Sequence, residues 1–304
     1  MTTPAESRRI VNELLALGAL EAYRPRRVQR DPLRSQGGIG WDRVEIVSGD
    51  GDTIPCLLLL PSDATGPCVI AIHQHAGDFS LGKSEVAGIR GDPSMAYGLR
   101  LAQHGVVALI PDLVGFEERQ RRWSARPTDD EQRDALHRVA PGDSLQSKHT
   151  RDIATLTTWL LAEIAGAAGV SVMGHSLGGQ VALFNLAADS RLRAGVVSCG
   201  AGTLASFAEH HIAHNPAWFV PGLAAAGDTP LLARAIERPM FLSAGLHDPL
   251  FPLAGVEAVV GAFAPGLCAV DIFDGGHELP SRVASSAIRF LMGAGDPSRK
   301  ARSL

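Results

Sequence analysis

The chain has 304 residues, of which 45% are hydrophobic and 20% charged, and its formal net charge is −4. Its sequence lacks the roughly 18 continuous apolar residues of a membrane helix, and its mildly acidic charge gives no electrostatic footprint for nucleic acid or an anionic membrane. These values argue against membrane and nucleic-acid partners and leave small-molecule chemistry as the default.

The first predicted element is an amphipathic helix over about residues 5–21. Within residues 1–20, two arginines and two glutamates surround a short apolar pattern. This segment has neither the uninterrupted apolar stretch nor the cleavage site of a secretory signal. The four cysteines lack the close spacing of zinc or redox motifs. Buried free thiols and a cytoplasmic location are therefore predicted, within a single domain spanning 1–304.

Short runs rich in Val, Ile and Leu then alternate with longer helix-like segments, which predicts a mainly parallel sheet covered by helices. A run that starts at Trp41 is predicted to be an antiparallel edge strand ending in a turn at Gly49 to Gly51. Seven further runs are interpreted as strands, namely 53–61, 67–73, 106–112, 169–174, 194–200, 239–245 and 267–273.

Two long stretches interrupt this alternation, 113–144 and 201–238. Long inserts in a compact domain are usually functional loops or lids, so both are predicted to shape a pocket. Within the first, the charged run at 117–123 could hold an anionic substrate group, but a solvated loop with self-compensating charge is the favoured interpretation. The tail at 295–304 is predicted to fray.

The sequence Gly174-His175-Ser176-Leu177-Gly178 directly follows the apolar residues 169–173 of the fourth run and precedes a helical pattern. A nucleophile at such a strand-to-helix turn is held in a strained conformation, and glycines two residues to either side let the backbone pass. The helix N-terminus adds positive potential where an oxyanion would form, and the Leu177 amide would donate to it. Ser176 is therefore predicted to be a nucleophile, with an incidental serine in a glycine-rich turn as the alternative.

A serine hydroxyl needs a histidine to take its proton and a carboxylate to orient that histidine. Asp248 follows the sixth run and His277 the seventh, so both loops should meet Ser176 at one edge of the sheet. The order along the chain, serine then aspartate then histidine, is the one found where the nucleophile lies on such a strand-to-helix turn. Asp271 and Asp274 are alternative acids, but the first lies within a strand and the second precedes a glycine turn.

The loop after the second run, His73-Gln74-His75-Ala76-Gly77, is predicted to supply a second oxyanion donor. The backbone N–H of His75 is the favoured donor, while the side chains of His73 and Gln74 are expected to brace the loop by hydrogen bonding. Since such a donor belongs to the backbone, it cannot be deleted by changing its side chain.

A metal site is the alternative for the histidine-rich segments. If 210–214 is helical, His210 and His214 share one face, as two zinc ligands can. His211, and the pair His73 and His75, extend this alternative. No acidic residue occupies the matching position, and a histidine pair falls short of three ligands, so no metal is expected.

These motifs resemble the dienelactone hydrolase-like and acetyl xylan esterase-like branches of the α/β-hydrolase superfamily, over roughly residues 53–290. The resemblance rests on IHQHAGDFSLGKSE at the oxyanion loop, GHSLGG at the nucleophile, SAGLHDPLFP at the acid and DGGHELP at the base. It implies an α/β-hydrolase fold, with a mostly parallel central sheet, helices on both faces and insertions near the active site. It further implies an esterase that uses Ser176, Asp248 and His277, with oxyanion amides from Leu177 and the region of His75.

The segment HHIAHNPAWFVPG is similar to the one that these branches place beside the pocket, so His211, His214 and Trp218 are expected to contact substrate. Gln74 and His175 are further candidates. Dienelactone hydrolase has a cysteine nucleophile where this chain has serine, so its lactone specificity is not carried over. Secreted xylan esterases carry a signal that this chain lacks, which argues against a polysaccharide substrate.

The expected activity is hydrolysis of a small-molecule carboxylic ester through an acyl-enzyme, without a cofactor. The same triad could instead cleave a thioester, an amide, a lactone or a carbon–carbon bond. A non-catalytic ligand-binding protein of the same fold is the alternative from another functional class. A homodimer is compatible with the sequence.

Overall fold

The computed structural model describes residues 2–293, so the tail predicted to fray lies outside the described residues. Within them, one sheet contains nine strands: β1 (Arg27–Gln36), β2 (Ile39–Val47), β3 (Thr53–Pro61), β4 (Cys68–Ile72), β5 (Ala108–Pro111), β6 (Val170–His175), β7 (Leu192–Ser198), β8 (Met240–Gly245) and β9 (Cys268–Phe273). Their order is β1-β2-β3-β5-β4-β6-β7-β8-β9. The pairings from β5 through β4 to β9 are parallel, and those that join β1, β2, β3 and β5 are antiparallel.

Six of the seven predicted runs, β3 to β8, form largely buried strands, because both faces of the sheet are covered there and successive side chains can all be apolar. The seventh, β9, lies at the end of the sheet and is mostly exposed or partly exposed. In β4, Ile70 and Ile72 lie in the core on one face, whereas Val69 and Ala71 lie in the core on the other. The alternating directions of side chains along a strand produce this division. Each of the seven predicted strands begins and ends within two residues of the observed one.

Eleven α-helices accompany the sheet in the described part of the chain: α1 (Pro4–Leu14), α2 (Lys83–Val86), α3 (Tyr97–Gln103), α4 (Pro127–Val139), α5 (Leu145–Glu163), α6 (Leu177–Ala188), α7 (Leu204–Glu209), α8 (Leu223–Ala226), α9 (Pro230–Ala235), α10 (Leu253–Val260) and α11 (Ser281–Gly293). Buried residues of α1, α5, α6, α9 and α10 share one core, and those of α3 and α11 share the other. The predicted fold class, a mostly parallel central sheet with helices on both faces, is confirmed. None of these helices is long and apolar enough to cross a bilayer.

The prediction that the run at Trp41 forms the sheet edge is wrong. That run is β2, which is antiparallel as expected, but β1 pairs with its outer side and forms the edge. All ten residues of β1 are exposed, and its pairing shifts register between Pro32 and Arg34. Since β1 buries no apolar face, its sequence shows no alternation that would have revealed a strand.

The predicted N-terminal helix is also shorter than expected. It begins at Pro4, after Thr3 accepts a hydrogen bond from the Glu6 amide, and it ends at Leu14 rather than near residue 21. Ala16 has a φ of 49°, which no helix accommodates. The apolar pattern continues beyond the helix because Leu15 and Leu20 are buried in irregular backbone.

The two long insertions leave the sheet at the carboxyl ends of β5 and β7 and contain their own helices. The insertion 113–144 carries α4, and the insertion 201–238 carries α7, α8 and α9. Helix α4 contacts the 3-10 turn Pro216–Trp218 of the second insertion. Both insertions therefore begin at the sheet edge where the candidate site lies.

Candidate active site

Ser176 lies between β6 and α6 in a strained backbone conformation. Its φ is 55° and its ψ is −120°, a conformation that non-glycine residues rarely adopt. Its amide donates to the carbonyl of Ser198 at 2.9 Å, which ties the turn to the neighbouring strand β7. Such strain clusters at functional sites, where the surrounding structure enforces it.

The glycines around Ser176 are required by close packing. A Cβ on Gly178 would lie 1.9 Å from the carbonyl oxygen of Ile72, and a Cβ on Gly174 would lie 2.1 Å from the carbonyl carbon of Gly178. Real Cβ atoms do not approach other heavy atoms so closely. The start of α6 can therefore lie directly against the ends of β4 and β6 only because these two positions lack side chains.

The three predicted triad residues lie within hydrogen-bonding distance of one another. The Oγ of Ser176 is 2.9 Å from Nε2 of His277, and Nδ1 of His277 is 2.8 Å from Oδ2 of Asp248. In this arrangement Nδ1–H donates to the carboxylate and Nε2 can accept the serine proton, the tautomer that a general base needs. The loops after β6, β8 and β9 thus bring together groups that are distant in the chain.

Asp248 is held as a carboxylate by the donors around it. Burial acts to raise the pKa of Asp248, but the hydrogen bonds from His277 and from the amides of Leu250 and Phe251 outweigh it and lower that pKa. The two amides donate to Oδ1 at 2.8 and 3.2 Å. Each oxygen of the carboxylate therefore has its own partners, and the side chain cannot rotate without losing them.

The alternative acids have other partners. Asp271 pairs with Arg282 at 2.7 Å. Asp274, whose side chain is 91% exposed, pairs with His247 at 3.2 Å. Only Asp248 among these three carboxylates contacts His277.

The loop after β4 is braced by its first two side chains. The Nδ1–H of His73 donates to the carbonyl of Gln74 at 2.7 Å, and its Nε2 accepts the Leu113 amide at 3.0 Å. Burial lowers the pKa of His73 to about 4, so the ring is neutral at neutral pH. The side chain of Gln74 donates to Glu85 on α2 at 3.1 Å.

The two predicted oxyanion donors lie at the starts of their segments. Leu177 is the first residue of α6, and the first amides of a helix have no partner within that helix. His75 is in the loop directly after β4, next to the residues with which Gly178 packs. Their role as oxyanion donors remains a prediction.

Two of the predicted substrate contacts are wrong for this conformation, because Trp218 and His175 have no exposed surface. The Trp218 ring packs against Phe207 and Phe251 in the core beside the second insertion. The Nδ1 of His175 lies 3.0 Å from the Ser198 hydroxyl, and its ring centroid lies 5.0 Å from that of His277. Both residues support the site from behind its surface.

The two histidines of the second insertion that are predicted to contact substrate, His211 and His214, differ from each other. His211 is exposed, with a φ of 54°. His214 packs 4.0 Å from the ring of Phe207, and its Nε2 donates to the Leu250 carbonyl at 2.7 Å. Burial lowers the pKa of His214 to about 4, so this donor is a neutral imidazole.

The helical face that would make His210 and His214 a metal-binding pair does not form, because α7 ends at Glu209. Metal-ligating groups do cluster elsewhere in the described residues. One cluster is Cys199 with Asp248 and His277, and the other surrounds the Nζ of Lys83, which lies 2.7, 2.8 and 2.7 Å from the carboxylates of Asp112, Glu117 and Glu118.

The expectation of a solvated charged loop at 117–123 is therefore wrong for its first half. Glu117 and Glu118 contact the buried Lys83, and Arg119 is only 9% exposed. Arg119 donates to Asp152 of α5 at 2.9 Å. Buried ion pairs therefore hold this part of the insertion next to the loop after β4.

His149 of α5 is buried near Arg119, and we expect it to make the protein less stable in acid. Burial and the nearby Arg119 and Arg138 lower its pKa well below 6.5. Below pH 6.5 the unfolded chain binds a proton that the folded chain does not bind, so stability falls as the pH falls, by about 1.4 kcal/mol per pH unit for this residue. Urea unfolding at pH 7.5 and 5.5 measures this dependence.

The variant His149→Leu should lose less stability on acidification than the wild type. The exposed His137 of α4 provides the matched control, since His137→Leu should leave the acid dependence unchanged. Equal acid dependence in the wild type and in His149→Leu would contradict the interpretation that this imidazole is neutral in the fold.

Two further residues at the site escaped sequence reasoning. The Phe251 ring stacks on His277 with centroids 5.6 Å apart and an interplanar angle of 11°. Cys199, only 1% exposed, lies beside Asp248 and its thiol contacts the Glu278 carbonyl at 3.5 Å. The only sequence signal for Phe251 is its position three residues after Asp248. In the sequence, Cys199 is indistinguishable from an ordinary buried cysteine in a strand-like run.

The sheet is mostly parallel, and its candidate nucleophile lies on a strained strand-to-helix turn. The other two residues of the candidate triad lie in later strand-end loops. This is the architecture of α/β hydrolases. The model of the alpha/beta hydrolase family matches residues 85–303, well over half of the chain, and the chain belongs to this family.

Known proteins agree with this assignment. The chain is 25% identical over 260 residues to "Putative hydrolase YtaP" of Bacillus subtilis, covering 78% of this chain and 82% of that protein. Acetyl xylan esterase 1 from Thermoanaerobacterium sp. is 17% identical with a TM-score of 0.67, covering 96% of this chain and 94% of that chain. Glucuronoyl esterase from Solibacter usitatus is 14% identical with a TM-score of 0.63, covering 95% and 92%. The two structures share the fold.

Proposed function

We propose that this protein is a serine hydrolase that cleaves a carboxylic ester of a small molecule. The observation that carries the proposal is a pair of hydrogen bonds that joins the three residues. Oγ of Ser176 lies 2.9 Å from Nε2 of His277, and Nδ1 of His277 lies 2.8 Å from Oδ2 of Asp248. An unassisted hydroxyl is a weak nucleophile, and an oriented imidazole is what activates it.

In the proposed reaction, Ser176 Oγ attacks the ester carbonyl while its proton passes to Nε2 of His277. The Asp248 carboxylate stabilises the imidazolium that forms. The oxyanion of the tetrahedral intermediate accepts hydrogen bonds from the amides of Leu177 and His75. His277 then protonates the leaving alcohol, and a water molecule, deprotonated by the same imidazole, releases the acid from Ser176.

An ester is proposed as the substrate because the two solved structures named above are an acetyl xylan esterase and a glucuronoyl esterase. The same three residues could cleave a thioester, an amide or a lactone, because the substrate of this fold is determined by its insertions and not by the triad. His211, exposed in the second insertion, is the proposed substrate contact from that segment.

The test is a panel of nitrophenyl esters of increasing acyl length, with matched thioesters and anilides, together with labelling by a fluorophosphonate. We expect turnover of short-chain esters above the anilides and a phosphonyl adduct on the peptide that contains Ser176, found by mass spectrometry. Absence of both turnover and adduct would reject catalysis and favour a binding protein. Equal turnover of all three bond types would reject the ester assignment.

A further inference from the structure

The imidazole of His75 connects the loop after β4 to the first insertion. Its Nε2 lies 3.2 and 3.1 Å from the two carboxylate oxygens of Glu131. Glu131 is on α4, is 6% exposed, and is separated from His75 by 56 residues of chain. The ring of His75 packs edge-on against Phe79 and Phe116, with centroids 5.0 and 5.1 Å away.

The tautomer of His75 follows from its second nitrogen. The Gly77 amide donates to Nδ1 at 3.1 Å, and a nitrogen that accepts a hydrogen bond carries no proton. The ring proton is therefore on Nε2, from which it is donated to Glu131. This contact is a hydrogen bond from a neutral imidazole to a carboxylate, the strong charge-assisted kind.

The loop that this hydrogen bond holds has an unusual backbone. Ala76 has a φ of 49° and Gly77 a φ of 71°, so two successive residues are left-handed. A non-glycine residue stays in that conformation only where its surroundings enforce it. The His75 ring spans this turn by accepting from Gly77, and Glu131 in turn fixes the ring. Two successive hydrogen bonds thus link the backbone of this turn to a carboxylate in another segment.

We propose that Glu131 is a positioning residue that holds the His75 backbone N–H toward the oxyanion. This inference rests on the proposed function, since it assigns a structural cause to one of its two oxyanion donors. It also gives the insertion 113–144 a specific part in catalysis. Glu131 acts through His75 and does not touch the reacting atoms.

The test compares Glu131→Met, which retains the side-chain length but cannot accept the hydrogen bond from Nε2–H, with Glu131→Gln, whose amide oxygen can still accept it. For Glu131→Met we expect kcat to fall roughly tenfold to a hundredfold, the range for a misplaced catalytic group, with KM nearly unchanged. The rate of phosphonyl adduct formation should fall by a similar factor. Glu131→Gln should recover most of kcat, which a purely structural role would not require.

Asp129, also on α4, provides the matched control because its carboxylate pairs with Arg126 at the surface. Asp129→Ala should keep the wild-type kcat. The His75 side chain is 18% exposed, so water can accept the hydrogen bond from Nε2–H when Glu131 is replaced. Glu131→Met should therefore fold. A kcat within twofold of wild type in folded Glu131→Met would overturn the proposal.

A second measurement separates this proposal from the proposed function. Two-dimensional NMR of protein labelled with 15N-histidine should show His75 as the Nε2–H tautomer in the wild type. The Nε2 chemical shift should change in Glu131→Met, which lacks the carboxylate acceptor, and should stay closer to the wild-type value in Glu131→Gln. A wild type without any ester turnover would refute the proposed function, and the NMR comparison would still judge the contact itself. An Nδ1–H tautomer in the wild type would overturn the inference whatever the activity.

Discussion

Replacing Ser176 with alanine is expected to lower kcat by roughly a millionfold, the scale at which loss of the nucleophile stops acyl-enzyme chemistry. Residual turnover would come from the oxyanion amides and substrate binding. The fold should persist, because the substitution removes one partly exposed hydroxyl and alanine can occupy the same strained backbone as serine. Single-turnover and steady-state assays on the best ester substrate measure the loss.

Ser281→Ala serves as the control, since Ser281 is exposed at the start of α11, four residues beyond His277. This control should retain full activity, and both variants should melt near the wild-type temperature. If Ser176→Ala kept more than about a thousandth of the wild-type kcat, the nucleophile would have to be another group.

Asp248→Asn is expected to lower kcat about ten-thousandfold without changing the positions of the backbone atoms. The Leu250 and Phe251 amides donate to one carboxylate oxygen, so the asparagine carbonyl must occupy that position. Its NH2 group then faces Nδ1 of His277, which must accept. The ring proton moves to Nε2, and Nε2 can no longer take the proton of Ser176.

The exposed Asp274 allows a matched substitution with the same change in charge. Asp274→Asn should leave kcat unaltered, and 15N-histidine NMR should show the altered tautomer of His277 in Asp248→Asn only. A large loss in Asp274→Asn, with Asp248→Asn near wild type, would reverse the assignment of the acid.

The interior of the sheet could be predicted from sequence because burial on both faces forces continuous apolar runs. For this reason the predicted strand 53–61 has the same bounds as the observed strand Thr53–Pro61. Strand β1 could not be found in this way, since it has no buried face and its formation depends on pairing with β2. The end of α1 was missed because Leu15 and Leu20 are buried without being helical, so hydrophobicity alone extends the pattern.

The candidate triad could be predicted because strand-end loops in a parallel sheet converge on one edge. Ser176, Asp248 and His277 each occupy such a loop. The partner of His75 could not be predicted, because no periodicity relates a loop residue to Glu131 in a helix of an insertion. The burial of Trp218 could not be predicted either, because an aromatic residue in an insertion can line a pocket or fill the core beneath it, and only packing decides.

The outermost strand, β1, has implications for solubility. A long unpaired strand edge invites the backbone of another molecule to add to it, which is the first step of aggregation. Here the edge has arginines at 27, 30 and 34, and Pro32, which lacks an amide proton, stands where the pairing shifts. Positive charge, a missing donor and a local kink each hinder docking of a further strand, so the sheet can end at β1 with its rim in water.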